Sequence, residues 1–336
     1  MRSGFSDDAL PAARRVLAVA VALAATSAIP AAAPSATQPS LRFSVFSHTG
    51  IPLVDILWTG RSFLLVRNTD TVLTSMDTRG VVGDVFATLP RLVEETRCVA
   101  PPGAHGFRKG EIYCHTPDNR IYGISADGRR IRVLATLPET SVSDGALAAD
   151  TVGRFGYALV AATGRSGAGQ PAGGTVYTVS AAGRVRRLGR YPGPSGADQL
   201  TIAPRGFGSI GGHALLTVDA GADGGTLVAI SPRGRSRIVA RFDDGPNPLA
   251  ALVRSGPRRG TARAGFYVTA TSSTNVYFVE ASQLVRYAGS LLVGSEIRGH
   301  FWIVQPRGKA FRTLVLRTNL PPPEELNLEG AKYLAP

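Results

Sequence analysis

Short apolar stretches recur along this chain, and each one is followed by a polar turn that ends in glycine. The five clearest copies are VLTSMDTRG at 72–80, IYGISADG at 121–128, VYTVSAAG at 176–183, LVAISPRG at 227–234 and FWIVQPRG at 301–308. A second β-rich run follows each turn. No helical period of apolar residues appears after residue 40, so the pattern predicts repeated β-hairpins.

The spacing of the repeat indicates the architecture. The turn glycines Gly80, Gly128, Gly183 and Gly234 lie 48, 55 and 51 residues apart. A unit of about 40–50 residues with four strands is typical of a β-propeller blade. We therefore expect an all-β protein over residues 41–336, a single β-propeller with four-stranded antiparallel blades. Six blades is the favoured count, and seven is the alternative.

The repeat becomes irregular after Gly234, because the next turn glycine, Gly308, comes 74 residues later. Residues 289–316 mirror residues 211–242, so we expect them to form strands B, C and D of one blade. Its strand A would then be 275–279. Residues 249–253 and 266–270 would be left for a shortened fifth blade.

The C-terminal segment predicts how the ring closes. NLEGAKYLAP at 327–336 resembles the strand A segment ADQLTIAP at 197–204. A strand A from this end, with residues 41–46 as a partner strand, would close the ring. Closure would leave no free sheet edge.

The N-terminus has the layout of a secretory signal peptide over residues 1–36. Arg14 and Arg15 precede an apolar stretch at 16–25, and small residues follow. We expect cleavage and a secreted, periplasmic or cell-envelope location, reached by the Sec route rather than the twin-arginine route. The apolar stretch is shorter than the roughly 20 residues that span a bilayer, and no later run is longer, so no transmembrane segment is expected.

Cys98 and Cys114 are the two cysteines. An even number of cysteines in an exported chain favours a disulfide. We expect the two residues on neighbouring antiparallel strands joined by the loop at 101–110. Two buried free thiols are the alternative.

The chain is basic, with a formal net charge of +13. Its arginines are scattered through turns and outer strands, and no basic run is interleaved with the aromatic residues that stack on nucleic-acid bases. We therefore expect a solvated basic surface, a monomer and no nucleic-acid partner. Weak attraction to anionic envelope polymers or lipid head groups is the alternative.

Polar residues concentrate where a propeller brings strand ends together. In each blade strand A begins, and strand B ends, on the same face. Residues at the strand A starts are Asp55, Glu95, Asp144, Asp198, Asn247 and Glu329, and Asp219 and Glu296 follow strand B ends.

Carboxylates that meet near an axis are the ligands of Ca²⁺ or a similar divalent cation, and their pKa values shift. We take Asp144, Asp198 and Glu329 as the candidate metal ligands. The candidate ligand-binding face consists of Asp55, Glu95, Asn247, Asp219 and Glu296. The alternative is that these side chains only cap nearby turns.

One segment carries a family resemblance. SDGALAADTVGRFGYALVA at 143–161 resembles repeats of the NHL type and of the gluconolactonase-like (SMP-30) six-bladed propellers. Those lactonases hold a divalent metal with a Glu near the start of the first blade, two Asn and an Asp. The resemblance implies that Asp198 is an axial metal-binding acid and that Glu329 supplies the Glu. NLEGAKYL also resembles the Glu-Gly strands of phytase-like and esterase-like propellers.

These observations lead to two functional hypotheses. The favoured one is an exported, non-catalytic propeller that binds a small ligand or a protein partner on its acidic face or in its central channel. No nucleophile elbow of the G-x-S-x-G type is present. The competing hypothesis is a metal-dependent hydrolase or lyase, lactonase-like or phytase/esterase-like, with an axial cation held by Asp144, Asp198 and Glu329.

Overall fold

The computed structural model describes residues 39–68, 70–90, 95–164, 173–193, 195–220, 223–256, 260–321 and 326–336. The expected signal peptide lies outside the described residues. Within them the chain forms 25 β-strands, one short α-helix, α1 (Ala281–Leu284), and two 3-10 helices at Gly208–Ile210 and Val285–Tyr287. Two strands precede the first blade, β1 (Ser40–Leu41) and β2 (Ser44–His48).

Four blades follow one another along the chain, each an antiparallel sheet whose four strands run in sequence order from the axis outward. Blade 1 contains β3 (Leu53–Trp58), β4 (Phe63–Arg67), β5 (Val72–Met76) and β6 (Val82–Thr88). Blade 2 contains β7 (Arg97–Val99), β8 (Ile112–His115), β9 (Arg120–Ile124) and β10 (Ile131–Thr136). Blade 3 contains β11 (Leu147–Ala149), β12 (Leu159–Ala162), β13 (Gly174–Val179) and β14 (Val185–Tyr191). Blade 4 contains β15 (Ala197–Ile202), β16 (Ala214–Asp219), β17 (Gly225–Ile230) and β18 (Ser236–Phe242).

The last two blades are interleaved. Blade 5 contains β19 (Pro246–Ala251), β22 (Leu291–Ser295), β23 (Phe301–Arg307) and β24 (Ala310–Thr318), and β1 pairs in parallel with β24 as a fifth strand. Blade 6 contains β25 (Leu328–Leu334), β20 (Gly265–Ala270), β21 (Asn275–Glu280) and β2. After β19 the chain therefore crosses to blade 6 for one hairpin and then returns to complete blade 5.

This arrangement confirms the six-bladed propeller and corrects the expected strand order at its end. Residues 275–279 belong to the third strand of blade 6 and not to a strand A. Residues 249–253 and 266–270 lie in two different blades. The C-terminal strand A is confirmed, and β2 closes the same blade as its outermost strand, paired with β21. The alternation of apolar residues marks a strand but does not say which sheet it joins.

Burial explains why the middle strands are mostly apolar. Each lies between two neighbouring sheets, so all six residues of β16 (ALLTVD) are buried. The outer strand of the same blade, β18 (SRIVARF), faces water along its edge and is mostly half-buried or exposed. The buried apolar side chains form six clusters, one in each gap between neighbouring blades, and they leave no gap in the ring unpacked.

The repeated turn glycine has two structural roles. Gly128 and Gly234 adopt φ angles of 74° and 79°, which favour glycine. A Cβ on Gly128 would lie 1.8 Å from the carbonyl oxygen of Phe86, and one on Gly234 would lie 2.0 Å from that of Leu188. The turn of each of these blades therefore packs against the outer strand of the preceding blade, which accounts for the regular spacing of glycine in the sequence.

The disulfide is confirmed. Cys98 and Cys114 lie directly opposite each other on β7 and β8 and form a bond across 16 residues of sequence. Closing a loop of this size stabilises the folded state by about 3 kcal/mol. Among the described residues there is no helix of the length and apolarity needed to cross a bilayer.

Candidate functional site

The innermost strands β3, β7, β11, β15, β19 and β25 surround the central channel. We call the side on which these strands begin the start face and the opposite side the end face. The polar residues at the strand starts lie one per blade, as expected. Glu95 is partly exposed, and the other five are buried, namely Asp55, Asp144, Asp198, Asn247 and Glu329.

Arg97, which sequence reasoning did not single out, holds several of these residues together. Its Nη2 lies 2.7 Å from Glu329 Oε2 and 3.2 Å from Glu95 Oε2. Its Nε donates to the backbone carbonyl of Asp198 (3.2 Å). The side chain is 3% exposed, so this guanidinium is a buried cation that comes from the protein itself.

Glu329 is bound from other blades as well. Asn247 Nδ2 donates to Glu329 Oε2 (2.9 Å), and Gln199 Nε2 donates to the Glu329 backbone carbonyl (3.1 Å). Residues from blades 2, 4, 5 and 6 thus meet at the axis. Arg97, Glu329, Asn247 and Gln199 form a polar cluster that we call the plug.

Asp198 and Glu329 are costly to ionise because they are buried, and their pKa values are therefore raised. Burial raises the pKa of Asp198 well above its ordinary value, and the neighbouring Asp144 and Asp219 carboxylates raise it further. Burial and Glu95 raise the pKa of Glu329, against the opposing effect of Arg97. Although burial alone would lower the pKa of Arg97, the carboxylates beside it raise that pKa above its usual range.

Asp219 and Glu296 form a pair next to the plug. Asp219 ends β16, and Glu296 immediately follows β22. A hydrogen bond joins the two side chains, and burial together with the charge of Glu329 raises the pKa of Glu296. The charge of Asp219 adds to this rise, because two neighbouring carboxyl groups resist ionising together.

The channel opens toward the other side of the ring. A cavity of about 600 Å³ extends from Asp55, Arg97, Gln199 and Lys332 to the loops that follow the inner strands. Its walls are mostly apolar and include Leu57, Val99, Leu147, Leu200, Ile202, Leu249 and Tyr333. Exposed Gly103 and Lys109 lie at its mouth. The cavity is therefore closed at the plug and open at the end face.

Asp55 and Lys332 lie at the closed end of this cavity. The two oxygens of Asp55 accept hydrogen bonds from the backbone N–H groups of Ile56 (2.8 Å) and Cys98 (2.9 Å). Burial raises the pKa of Asp55, and Arg97 opposes that rise. Burial lowers the pKa of Lys332, and Asp55 opposes the change. Within the described ranges no carboxylate lies within salt-bridge distance of Lys332.

The structure brings the predicted acids into one region but separates them from the open cavity. Of the eight candidate residues, only Asp55 lines the cavity. Arg97, Gln199 and Lys332 were missed. The sequence could have pointed to them, because each is a charged or amide residue within an innermost strand, namely RCV, ADQLTI or LEGAKYL.

One of the candidate metal ligands is already paired with a cation of the protein. Glu329 is occupied by Arg97, which already supplies a positive charge at the axis. Across the described part of the chain, no group of three or more His, Cys, Asp and Glu side chains is placed to hold a metal ion. The roles of Asp144, Asp198 and Glu329 as metal ligands stay predictions.

Comparisons with known proteins give no family. No protein-family model matches the chain, and neither does any curated protein. Among solved structures, a streptogramin B lyase is similar with a TM-score of 0.49 and 13% identity, over 83% of this chain and 74% of the other. Virginiamycin B lyase from Staphylococcus aureus gives 0.47 and 11%, over 84% and 75%. A chain of a nidogen/laminin complex gives 0.48 and 10%, over 87% and 83%. These similarities carry no argument about function, and the β-propeller fold rests on the strand pairing itself.

Proposed function

We propose that this protein binds a small amphiphile in its central cavity. The apolar part of the ligand lies along the channel walls, and its anionic or carbonyl head meets Lys332 at the closed end. The observation that carries the proposal is the cavity of about 600 Å³, with apolar walls and a lysine that has no carboxylate partner among the described residues. Its volume lies within the usual range for small-molecule sites.

The choice of head group follows from the polar atoms at the closed end. Arg97 is neutralised by Glu95 and Glu329, and the Asp55 oxygens are occupied by backbone N–H groups. Lys332 is the cation at this end, within the described residues, that has no carboxylate within salt-bridge distance, whereas Arg97 has two. A ligand oxygen would supply a partner for the half-buried Lys332 ammonium, which a bound ligand would otherwise shield from water without replacing its hydrogen bonds. Lys109 at the mouth also favours an anionic ligand.

We infer that binding takes place outside the cytoplasm in a monomer. The signal-peptide pattern at residues 1–36 supports export, and a disulfide is typical of oxidising compartments. Size-exclusion chromatography with light scattering tests the monomer, and N-terminal sequencing of the exported protein tests cleavage.

The proposal is tested by titrating the protein with decanoate and with decanol in competition with a fluorescent apolar probe. Lys332→Met should weaken decanoate binding by about tenfold, the effect of losing one buried charge-assisted hydrogen bond. It should leave decanol binding within about twofold, because the apolar walls are intact. Lys309→Met, in the exposed turn before β24 of blade 5, is the matched control and should change neither. No saturable binding of either compound would refute the proposal.

The axial divalent cation expected for a hydrolase or lyase remains the competing proposal. A thermal shift with Ca²⁺ and with EDTA tests it, since a tightly bound ion raises the melting temperature by mass action. A calcium-dependent rise that Asp198→Asn abolishes would favour the metal site. Indifference to both reagents would exclude it.

A further inference from the structure

Basic residues are distributed unevenly around the outer edge of the propeller. The fourth strands of blades 2, 3, 4 and 5, counted from the axis and each taken with the turn before it, lie at residues 129–136, 184–191, 233–242 and 307–318. We call these four segments the basic arc. It carries three basic residues on blade 2 and four on each of blades 3, 4 and 5, all of them exposed. Blades 1 and 6 differ, because the outer strand of blade 1 with its turn carries one basic residue, Arg79, which is paired with Asp77, and β2 (SVFSH) contains no Lys or Arg.

The charges of the arc on blades 3 and 4 are exposed to solvent. On blades 3 and 4, no basic residue of the arc has a carboxylate within salt-bridge distance among the described residues. On blade 2, Arg132 pairs with Glu111 at 3.2 Å. Exposed arginines without counter-charges repel one another, and a bound anion would relieve that repulsion.

The arc is continuous from blade to blade. Arg237 Nη2 on blade 4 donates to the backbone carbonyl of Lys309 on blade 5 (3.2 Å). The turn at Gly234 packs against the backbone of Leu188 on blade 3. The arginines are scattered along the sequence, and the fold gathers them into a single band.

The shape of the arc selects among anionic partners. Six blades complete a full turn, so successive outer strands differ in direction by about 60°, and blades 2 and 5 face opposite ways. A flat bilayer can contact one or two blades at a time, whereas a flexible polymer can follow the whole band. Nucleic acid would gain little binding energy beyond its phosphate contacts, because these aromatic side chains of the arc are not free to stack on bases. Phe242 on blade 4 is buried, and Phe311 on blade 5 lies under Arg237.

We propose that the basic arc binds a flexible linear polyanion along blades 2 to 5, through its charged groups and without base recognition. The proposal is independent of the ligand in the central cavity. Binding should be driven by release of counterions, so its affinity should fall steeply with salt concentration.

The test measures binding of long-chain inorganic polyphosphate to the full chain between 50 and 200 mM NaCl. The triple variant Arg184→Glu, Arg186→Glu and Arg190→Glu reverses charge on blade 3 and should weaken binding by roughly tenfold or more. The control triple Arg61→Glu, Arg254→Glu and Arg286→Glu has the same net charge but lies outside the arc, and it should cost less than about threefold. Melting temperatures close to wild type verify folding, and Arg235→Gln with Arg241→Gln gives a milder second test on blade 4.

Several results would overturn the proposal. Wild-type protein that does not bind polyphosphate, or binds it without salt dependence, would do so. Equal losses in the two triple variants would show that only net charge matters. Tighter binding to phosphatidylglycerol vesicles at equal charge would indicate a membrane surface instead. An oligothymidylate that binds more than tenfold tighter than polyphosphate would indicate base recognition.

Discussion

The two ends of the central channel are built from the same six inner strands but place charge in opposite ways. At the start face, Arg97, Glu329, Asn247 and Gln199 bind one another across four blades and fill the axis. At the end face the walls are apolar and leave about 600 Å³ open. Lys332 marks the boundary between the two regions.

This difference separates charged residues that bind one another inside the fold from the charged residue that a ligand can reach. The acids of the start face are the ligand site expected from the sequence, yet most of them are buried, and Glu329 is bound by Arg97 and Asn247. A buried ion pair adds little to net stability, but it becomes costly when one partner is removed. The plug is therefore expected to respond to mutation through stability, and the open end through ligand binding.

The largest effect should come from removing the cation of the plug. Arg97→Met leaves the Glu329 carboxylate buried without its partner and should lower the free energy of unfolding by about 3–5 kcal/mol. Urea denaturation measures the change. The double variant Arg97→Met with Glu329→Gln should recover a large part of it, because the buried charge is gone as well. A loss below about 1 kcal/mol for the single variant would contradict the proposed role of Arg97.

The disulfide is expected to have the next largest effect, and it tests whether the two ends are coupled. Cys98 follows Arg97 directly and also lines the cavity. Replacing Cys98 and Cys114 with alanine should lower the free energy of unfolding by about 3 kcal/mol, because the unfolded chain loses a constraint. Decanoate affinity of the folded variant should change by less than about threefold. Loss of binding in a folded variant would show that the open end depends on the bond.

The dependence of stability on pH should reveal the raised carboxyl pKa values. The pKa of Asp198 is well above its ordinary value of 3.8 in the folded protein, so the folded state holds a proton that the unfolded state releases. Its contribution to stability is therefore lost as pH rises above about 4 toward the raised value. Asp198→Asn removes this loss and should stabilise the protein by about 1 kcal/mol or more at pH 8.

Thermal denaturation of wild type and Asp198→Asn at pH 5 and pH 8 measures that difference. The variant should gain more at pH 8 than at pH 5. A gain that is equal at the two values, or larger at pH 5, would show that Asp198 ionises normally in the folded state.

The smallest effect on stability is expected from blocking the open end. Ala251 is half-buried on β19 and lines the cavity. Ala251→Trp should reduce decanoate affinity at least about tenfold by filling the channel, with less than about 1 kcal/mol change in the free energy of unfolding. Thr313→Trp on the exposed outer strand of blade 5 is the control. Unchanged affinity in Ala251→Trp would place the ligand elsewhere.

The fold was largely predictable because it repeats. Glycine at 128 and 234 is required both by its φ angle and by contact with the preceding blade, so the period appears directly in the sequence. The interleaving of blades 5 and 6 was not predictable. β21 has the same alternating pattern in either blade, and only long-range pairing with β20 and β2 decides its sheet.

The candidate site was predictable only in part. The strand A starts correctly located the buried acids, since this follows from propeller geometry alone. The partner of Glu329 was not evident, because Arg97 lies 232 residues away in sequence and resembles the many surface arginines. The central channel was named as a possible binding site, but the residues that line its open end were not predicted, because they are ordinary apolar strand residues that carry no motif.

The most direct test of the account is a crystal structure of the protein with 10-bromodecanoate. The account predicts an anomalous bromine peak among Leu200, Leu249 and the other apolar walls, with the carboxylate beside Lys332 and the plug unchanged. A bromine peak on the start face, or a carboxylate that displaces Glu329 from Arg97, would contradict it.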